Sequence, residues 1–283
     1  MRRAEVGGKP SAPDLRVRRW EGGSWSESPD SVVMEEPLQL MLDGEPLSVV
    51  MRTPGADIEL ALGLLFAEGV LRSASDVKLV RISAEAGERE PALDVDASLM
   101  ESNQVDVQLA VAPARKPERS MLSSSACGVC GAVMIEDLRR GLAPLAPGMT
   151  VDAAVIPPLA DALRARQGVF EKTGGLHAAG LFSPAGELVC TREDVGRHNA
   201  LDKVVGRALI DGKLPASSSL LVVSGRAGYE IVQKSITAGI PLLVAVGAPS
   251  SLAVALAREF NQTLIGFLRG SRFNGYSCPE RLR

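Results

Sequence analysis

Three short, almost purely apolar runs at 220–223, 241–246 and 263–268 alternate with two segments of helical periodicity at 229–238 and 251–260. Strands with apolar residues on both faces must be covered on both faces, and strands joined through a helix pair in parallel. The order predicts an α/β unit built on a largely parallel sheet with helices on either side. Upstream, 157–167 reads as a helix opened by prolines and closed at Gly168, and 176–182 and 187–191 read as strands. Residues 199–210 read as an amphipathic helix with Leu201, Val204, Val205, Ala208 and Leu209 as its buried stripe.

The pattern differs before residue 120. Runs at 37–42 and 46–52 flank Asp43-Gly44, a two-residue hairpin signal, and Val105, Val107, Leu109 and Val111 alternate with Asp106, Gln108 and Ala110. Between them, 57–71 carries Leu60, Leu62, Leu64 and Leu65 at helical spacing behind the breaker Pro54-Gly55. A smaller, strand-rich α+β domain is expected over 26–120, with one helix on its sheet and with loops at 85–90 and 112–118. The remaining parts are a disordered tail at 1–25, a cysteine loop with a short helix at 121–145, and the α/β domain at 146–283. A chain of 283 residues, 46% of them apolar, can support two such cores.

Composition narrows the function classes. A net charge of −3 gives no global reason to bind nucleic acid or an anionic membrane. The tail carries Arg2, Arg3, Lys9, Arg16, Arg18 and Arg19 among Gly and Pro, without the apolar stretch of a secretion signal. From Ser235 to Ala257 no charged residue occurs, but Pro241, Gly247 and Pro249 break that stretch into helix end, strand, turn and helix. A soluble protein is expected. Four cysteines in a chain this long make no disulfide framework and suit a reducing cytoplasm.

Two of those cysteines form Cys127-Gly128-Val129-Cys130, between a run of serines and a helix-like stretch at 132–140. Thiols at a helix start feel the partial positive charge of unpaired N–H groups, which favours the nucleophilic thiolate. Such a pair serves as a redox switch, as half of a zinc site or as a persulfide carrier, and two small residues in a loop remain the plain alternative. Zinc would need two more ligands from Cys190, Cys278, His177 and His198, none of which repeats a ligand spacing. A thioredoxin-like switch would follow the first strand of a βαβ unit, whereas about 120 residues of another character come first here.

Parallel sheets bind ligands at the carboxyl ends of their strands. The three runs are followed by Ser224-Gly225-Arg226, by Gly247-Ala248-Pro249-Ser250 and by Arg269-Gly270-Ser271-Arg272-Phe273-Asn274. Glycine admits close backbone approach, serine donates, and arginine offers a fork matched to phosphate, so a phosphate-bearing ligand such as a nucleotide is expected. Solvated turns use the same residue types. A second polar concentration, Arg192 to Asn199 with Asp202 and Lys203, reads either as a functional cluster with Asp194 as helix cap or as a self-neutralising helix start. His177 lies in an apolar strand, where a histidine is more often a hydrogen-bonded core residue than a catalyst.

Taken together, Ser125 to Gly131, Thr173-Gly174-Gly175-Leu176-His177, Glu193 to Lys203 and Ser224-Gly225-Arg226 resemble the formate dehydrogenase accessory sulfurtransferase (FdhD) family. Met51-Arg52-Thr53-Pro54 and Phe267 to Asn274 fit it as well, and the resemblance runs from about Glu35 to Tyr276. It implies a cytoplasmic, homodimeric sulfur carrier that takes sulfur from a cysteine desulfurase and passes it to the molybdenum cofactor before insertion into formate dehydrogenase. It further implies a cytidine-deaminase-like α/β fold over 146–283 and binding of the bis(molybdopterin guanine dinucleotide) form of the cofactor. By the same resemblance Cys127 holds the persulfide, Cys130 assists, and Phe267, Leu268, Arg269, Gly270, Ser271 and Arg272 contact the cofactor, with no permanent metal. A zinc deaminase is the rival from another class, but the Cys pair here precedes the histidines and no Glu follows His177. A non-catalytic cofactor or nucleotide chaperone is the third reading.

Overall fold

The computed structural model describes residues 11–83, 86, 88–99, 102–115 and 141–283. Cys127, Cys130 and the stretch expected to be helical at 132–140 lie outside the described residues. The chain begins with an antiparallel hairpin, β1 (Asp14–Glu21) and β2 (Ser24–Ser31), turning through Gly22 and Gly23, both at positive φ. This differs from the tail expected over 1–25. The pairing was encoded in Gly-Gly flanked by Trp20 and Trp25, whose rings pack 5.3 Å apart across the strands. Nearly all of the hairpin is exposed, which is why its composition resembles a tail.

The first core is a five-stranded sheet of β3 (Glu36–Leu42), β4 (Glu45–Arg52), β5 (Val77–Ser83), β6 (Val95–Leu99) and β7 (Gln104–Leu109), in the order β4-β3-β7-β5-β6. Asp43 and Gly44, at φ 50° and 82°, make the expected two-residue turn. Helix α1 (Asp57–Ala67) lies on this sheet and buries every residue from Asp57 to Leu65. A helix in a single-sided domain would keep a polar face; α1 has none because the second domain covers the other side.

In the second domain, α2 (Leu159–Arg164) and α3 (Gly168–Thr173) precede the hairpin β8 (His177–Phe182) and β9 (Leu188–Asp194). Next come α4 (Arg197–Ile210), β10 (Leu220–Val223), α5 (Tyr229–Thr237), β11 (Leu242–Ala245), α6 (Ser251–Glu259), β12 (Thr263–Arg269) and β13 (Arg272–Ser277). The sheet order is β13-β12-β11-β10-β8-β9. Only β10, β11 and β12 run parallel; β8, β9 and β13 are antiparallel, so the sheet is mixed rather than largely parallel. The physical reason is connection length, since the short links β8–β9 and β12–β13 admit only hairpins. One face, with Leu221, Val223, Leu243 and Ala245, packs on α4, α5 and α6. The other, with Val222, Leu242 and Val244, packs on Leu159 and Leu163 of α2. Gly168, read as a helix stop, instead opens α3. Among the described residues no helix is long and apolar enough to cross a membrane.

The two domains meet along α1 and α4, where a methyl group on Gly63 would overlap the carbonyl oxygen of Asp202 and one on Gly206 that of Glu59. Small residues let the two backbones touch. Helix α4 carries the expected stripe but is buried nearly all round, His198, Asn199, Asp202 and Lys203 included, because α1 covers the face the periodicity assigns to water. Those polar groups are paired. Lys203 Nζ lies 2.7 Å from Asp194 Oδ2 and donates to the Thr53 carbonyl at 2.8 Å. Asp194 also accepts from Thr53 N, Gly196 N and Asn199 Nδ2. Arg52 makes a forked pair with Asp57, and Arg192 one with Glu59.

Candidate functional site

The parallel strands end at one edge of the sheet, and there a cleft of about 540 Å³ opens. Ser224 follows β10, Val246 follows β11, and Leu268, Arg269 and Gly270 close β12; His177 joins them because β8 starts where its antiparallel neighbour β10 ends. The opposite wall is α2, α3 and their joint, with Leu163, Gln167, Phe170, Gly174 and Gly175. Glu193 of β9 accepts the N–H groups of Val169 and Phe170 and so ties α3 to the sheet. Gly174, at φ 68°, ends α3 in the left-handed region, and a Cβ on Gly175 would stand 2.7 Å from Val33 Cγ2. The Thr-Gly-Gly-Leu-His segment is thus shaped to turn the chain from α3 into β8.

The sheet edge is cationic. A Cβ on Gly225 would stand 3.2 Å from His177 Nδ1 and 3.9 Å from Arg197 Cδ, so these three groups converge. Burial first, then the charge of Arg197, holds His177 below the ordinary imidazole range, with Arg226 acting the same way and Asp194 opposing. Arg197 forms no ion pair among the described residues, and its Nε is buried without a hydrogen-bond partner. Behind it, His198 Nε2 lies 3.3 Å from Glu230 Oε2, and Lys234 pairs at 2.7 Å with fully buried Asp202. The carboxyl of Glu230 is raised by burial, against the pull of Lys234 and Arg197. Ser224 Oγ accepts from Ala178 N at 2.8 Å and keeps its own hydrogen to donate.

Of the residues singled out from the sequence, Ser224, Leu268, Arg269 and Gly270 line the cleft, Gly225 abuts His177, and exposed Arg226 stands close enough to act on that imidazole. Leu268 is 1% exposed and serves the core as well. Phe267, Ser271 and Arg272 are not among the lining residues. Phe267 sits in a bulge between β12 and β13 at φ 55°, a strained position for a non-glycine residue, and its ring is exposed. Gly270 and Ser271 form the hairpin turn, and Arg272 begins β13. His177 is not the hydrogen-bonded core residue expected, because among the described residues its imidazole makes no hydrogen bond and it faces the cleft. Arg164, Gln167 and Phe170 escaped the sequence reading altogether, and only the fold brings α2 and α3 across from the strand ends. Among the described residues no group of His, Cys, Asp and Glu is arranged to hold a metal ion.

Residues 33–283 match the FdhD/NarQ family. The chain is 47% identical over 273 residues to the sulfur carrier protein FdhD of Streptomyces avermitilis, with 94% of each chain covered. It is 48% identical over 273 residues to the protein of the same name from Streptomyces coelicolor, again with 94% of each covered. A crystal structure described as that of a formate dehydrogenase accessory protein from Desulfotalea psychrophila superposes with a TM-score of 0.74 at 25% identity, covering 97% of this chain and all of that one.

Proposed function

Because the chain belongs to the FdhD/NarQ family, we propose that it is a sulfur carrier serving formate dehydrogenase, loading sulfur on Cys127 and passing it to a molybdenum cofactor held at the strand-end cleft. The observation that carries the cofactor part is the arginine-bearing edge at the strand ends. Arg197 makes no close ion pair and His177 no side-chain hydrogen bond among the described residues, and the two converge on Gly225 beside the donors Ser224 and Arg269. The buried Nε–H of Arg197 has no partner among the described residues, and an anion would supply one. The phosphates of a guanine dinucleotide cofactor supply such anions. Phe267, exposed and held by a strained backbone, offers a flat surface beside the same edge.

In the loading step the Cys127 thiolate attacks the terminal sulfur of a cysteine desulfurase persulfide. The donor's S–S bond breaks, the donor leaves as a thiolate, and Cys127 becomes the persulfide. Cys130 relays sulfur or, by attacking the inner sulfur of the Cys127 persulfide, closes a Cys127–Cys130 disulfide and expels the outer sulfur as sulfide. The cleft positions the acceptor and does no bond chemistry itself.

Intact and peptide mass spectrometry after incubation with a cysteine desulfurase and cysteine tests the reading. The expected result is one added sulfur atom on the peptide spanning 127–130. A Cys127→Ala, Cys130→Ala protein that still yields fully active formate dehydrogenase would overturn it in favour of a non-catalytic chaperone.

A further inference from the structure

His177 lines the cleft, and among the described residues its side chain makes no hydrogen bond. Gly225 leaves the space the ring occupies, since a Cβ there would stand 3.2 Å from His177 Nδ1. A neutral imidazole carries one donor and one acceptor, and this half-buried ring leaves both to solvent or to a ligand. Its surroundings favour the neutral form. Burial acts first, then Arg197 at the start of α4, and Arg226 after β10 works in the same direction. Asp194, the register partner of His177 across β8 and β9, opposes them, but its carboxylate is already held by Lys203 and by three N–H donors. The cleft walls add Asp161 and Arg164 of α2 and Arg269 of β12. Glu193 is engaged by α3, and Glu230 lies against His198.

We propose that His177 is the proton-uptake group of the cleft: a phosphate bound beside Arg197 and Arg226 draws a proton from solvent onto the imidazole, which becomes a further cation of the anion site. This rests on the cleft being the cofactor's phosphate site. Lost hydration and two like charges keep the ring neutral when the cleft is empty; an anion offsets those charges and accepts the N–H that burial deprives of water. Arg197, Arg226 and Arg269 stay charged and Ser224 stays neutral near neutral pH, so the ring is the group among these whose charge can answer to the ligand. Solvent gives one proton as the anion enters, no bond of the ligand breaks, and the proton returns to solvent when the anion leaves. A ring that is neutral in the empty site and protonated in the occupied one makes affinity rise as pH falls. The rise is confined to the window between the two midpoints. An opposite charge in contact moves a midpoint by about one pH unit or more, so the gain across that window is roughly tenfold.

Guanosine diphosphate mannose is a suitable probe, because its diphosphate is a diester and lacks the ionisation near about pH 6 of a terminal phosphate. The chain holds two histidines, so nitrogen NMR of the full chain follows two imidazoles. His177→Asn assigns them, or His198→Gln should the first variant misfold. With the nucleotide bound, the wild-type His177 ring should titrate roughly one pH unit higher than without it, and His198, already beside Glu230, should move far less. Calorimetry in two buffers of unlike ionisation heat should show net proton uptake, and affinity should fall roughly tenfold from about pH 5.5 to about pH 8. His177→Asn should bind without that slope. A nucleotide that binds while the wild-type ring keeps its midpoint, or a slope that survives in His177→Asn, overturns the proposal and leaves the cofactor cleft standing. If the wild type binds no nucleotide at any pH, the proposal falls and the cofactor reading of the cleft falls with it.

Discussion

Replacing Lys203 by Met keeps the side-chain stem and removes only the charge, at a position where Lys203 and Asp194 have side chains 2% and 0% exposed. Asp194 would keep its three N–H donors, from Thr53, Gly196 and Asn199, but lose the only cation within bonding distance among the described residues, and the Thr53 carbonyl would lose its donor. Breaking a buried pair by removing one partner costs about 3–5 kcal/mol, and the three surviving donors argue for the lower end, about 3 kcal/mol. For a chain of this size that corresponds to a fall in Tm of roughly 6–12 °C. Because Thr53 belongs to the first domain and Lys203 to the second, the loss also weakens the joint between them. Calorimetric unfolding of Lys203→Met should therefore broaden or split into two transitions. Adding Asp194→Asn removes the orphaned charge, so the double variant should be less destabilised than the two single losses summed, by about 1 kcal/mol or more. A single variant within about 0.5 kcal/mol of wild type, the range of an ordinary surface change, or strictly additive losses would refute the view that this pair locks the domains.

Gly206→Ala places a methyl against the Glu59 carbonyl oxygen and should cost about 1–3 kcal/mol by forcing α1 and α4 apart. Gly228→Ala, where nothing stands within 4 Å, is the control expected to stay near wild type in urea unfolding, and equal effects would sink the close-crossing account. Glu88 accepts the N–H groups of Asp57 and Ile58 at the start of α1, and burial, with the nearby Asp57 charge, pushes its carboxyl up to about 7. A carboxyl raised in the folded state holds its proton longer there than in the unfolded chain, so its contribution is full below about pH 4.5 and is lost as pH rises to 7, with an upper bound of about 3 kcal/mol. Glu88→Gln should flatten that fall when stability is measured from pH 4.5 to 7.5, and an unchanged profile would contradict the assignment.

Local signals carried far in this chain. The runs that became β10, β11 and β12, and the hairpin at Asp43-Gly44, could be read because each depends on a few neighbouring residues. From the rule that ligands gather at strand ends followed Ser224, Arg269 and Gly270 of the cleft. What stayed hidden depends on partners distant in sequence. The apolar face of α1 and the polar residues of α4 make sense only once each helix covers the other, and Gln167 looks like an ordinary helix-end residue until β8 folds back beneath it. Strand β13 carries Phe273, Asn274 and Gly275, too mixed to read as a strand, and forms because the hairpin at Gly270 and Ser271 lays it on β12.

The polar segment from Glu193 to Lys203 divides its labour in a way that bears on the site. Glu193 pins α3, Asp194 and Lys203 bind the two domains, Asn199 holds the Met51 carbonyl, and Asp202 pairs with Lys234 on α5. The Arg197 side chain makes no close ion pair or hydrogen bond among the described residues, and its charge acts on Glu230 at longer range. It stays beside His177 because the groups around it on α4 are locked from both domains and from α5. The joint between the domains therefore does more than stabilise: by holding the first turn of α4 it fixes Arg197 against Gly225 and His177 at the strand-end edge.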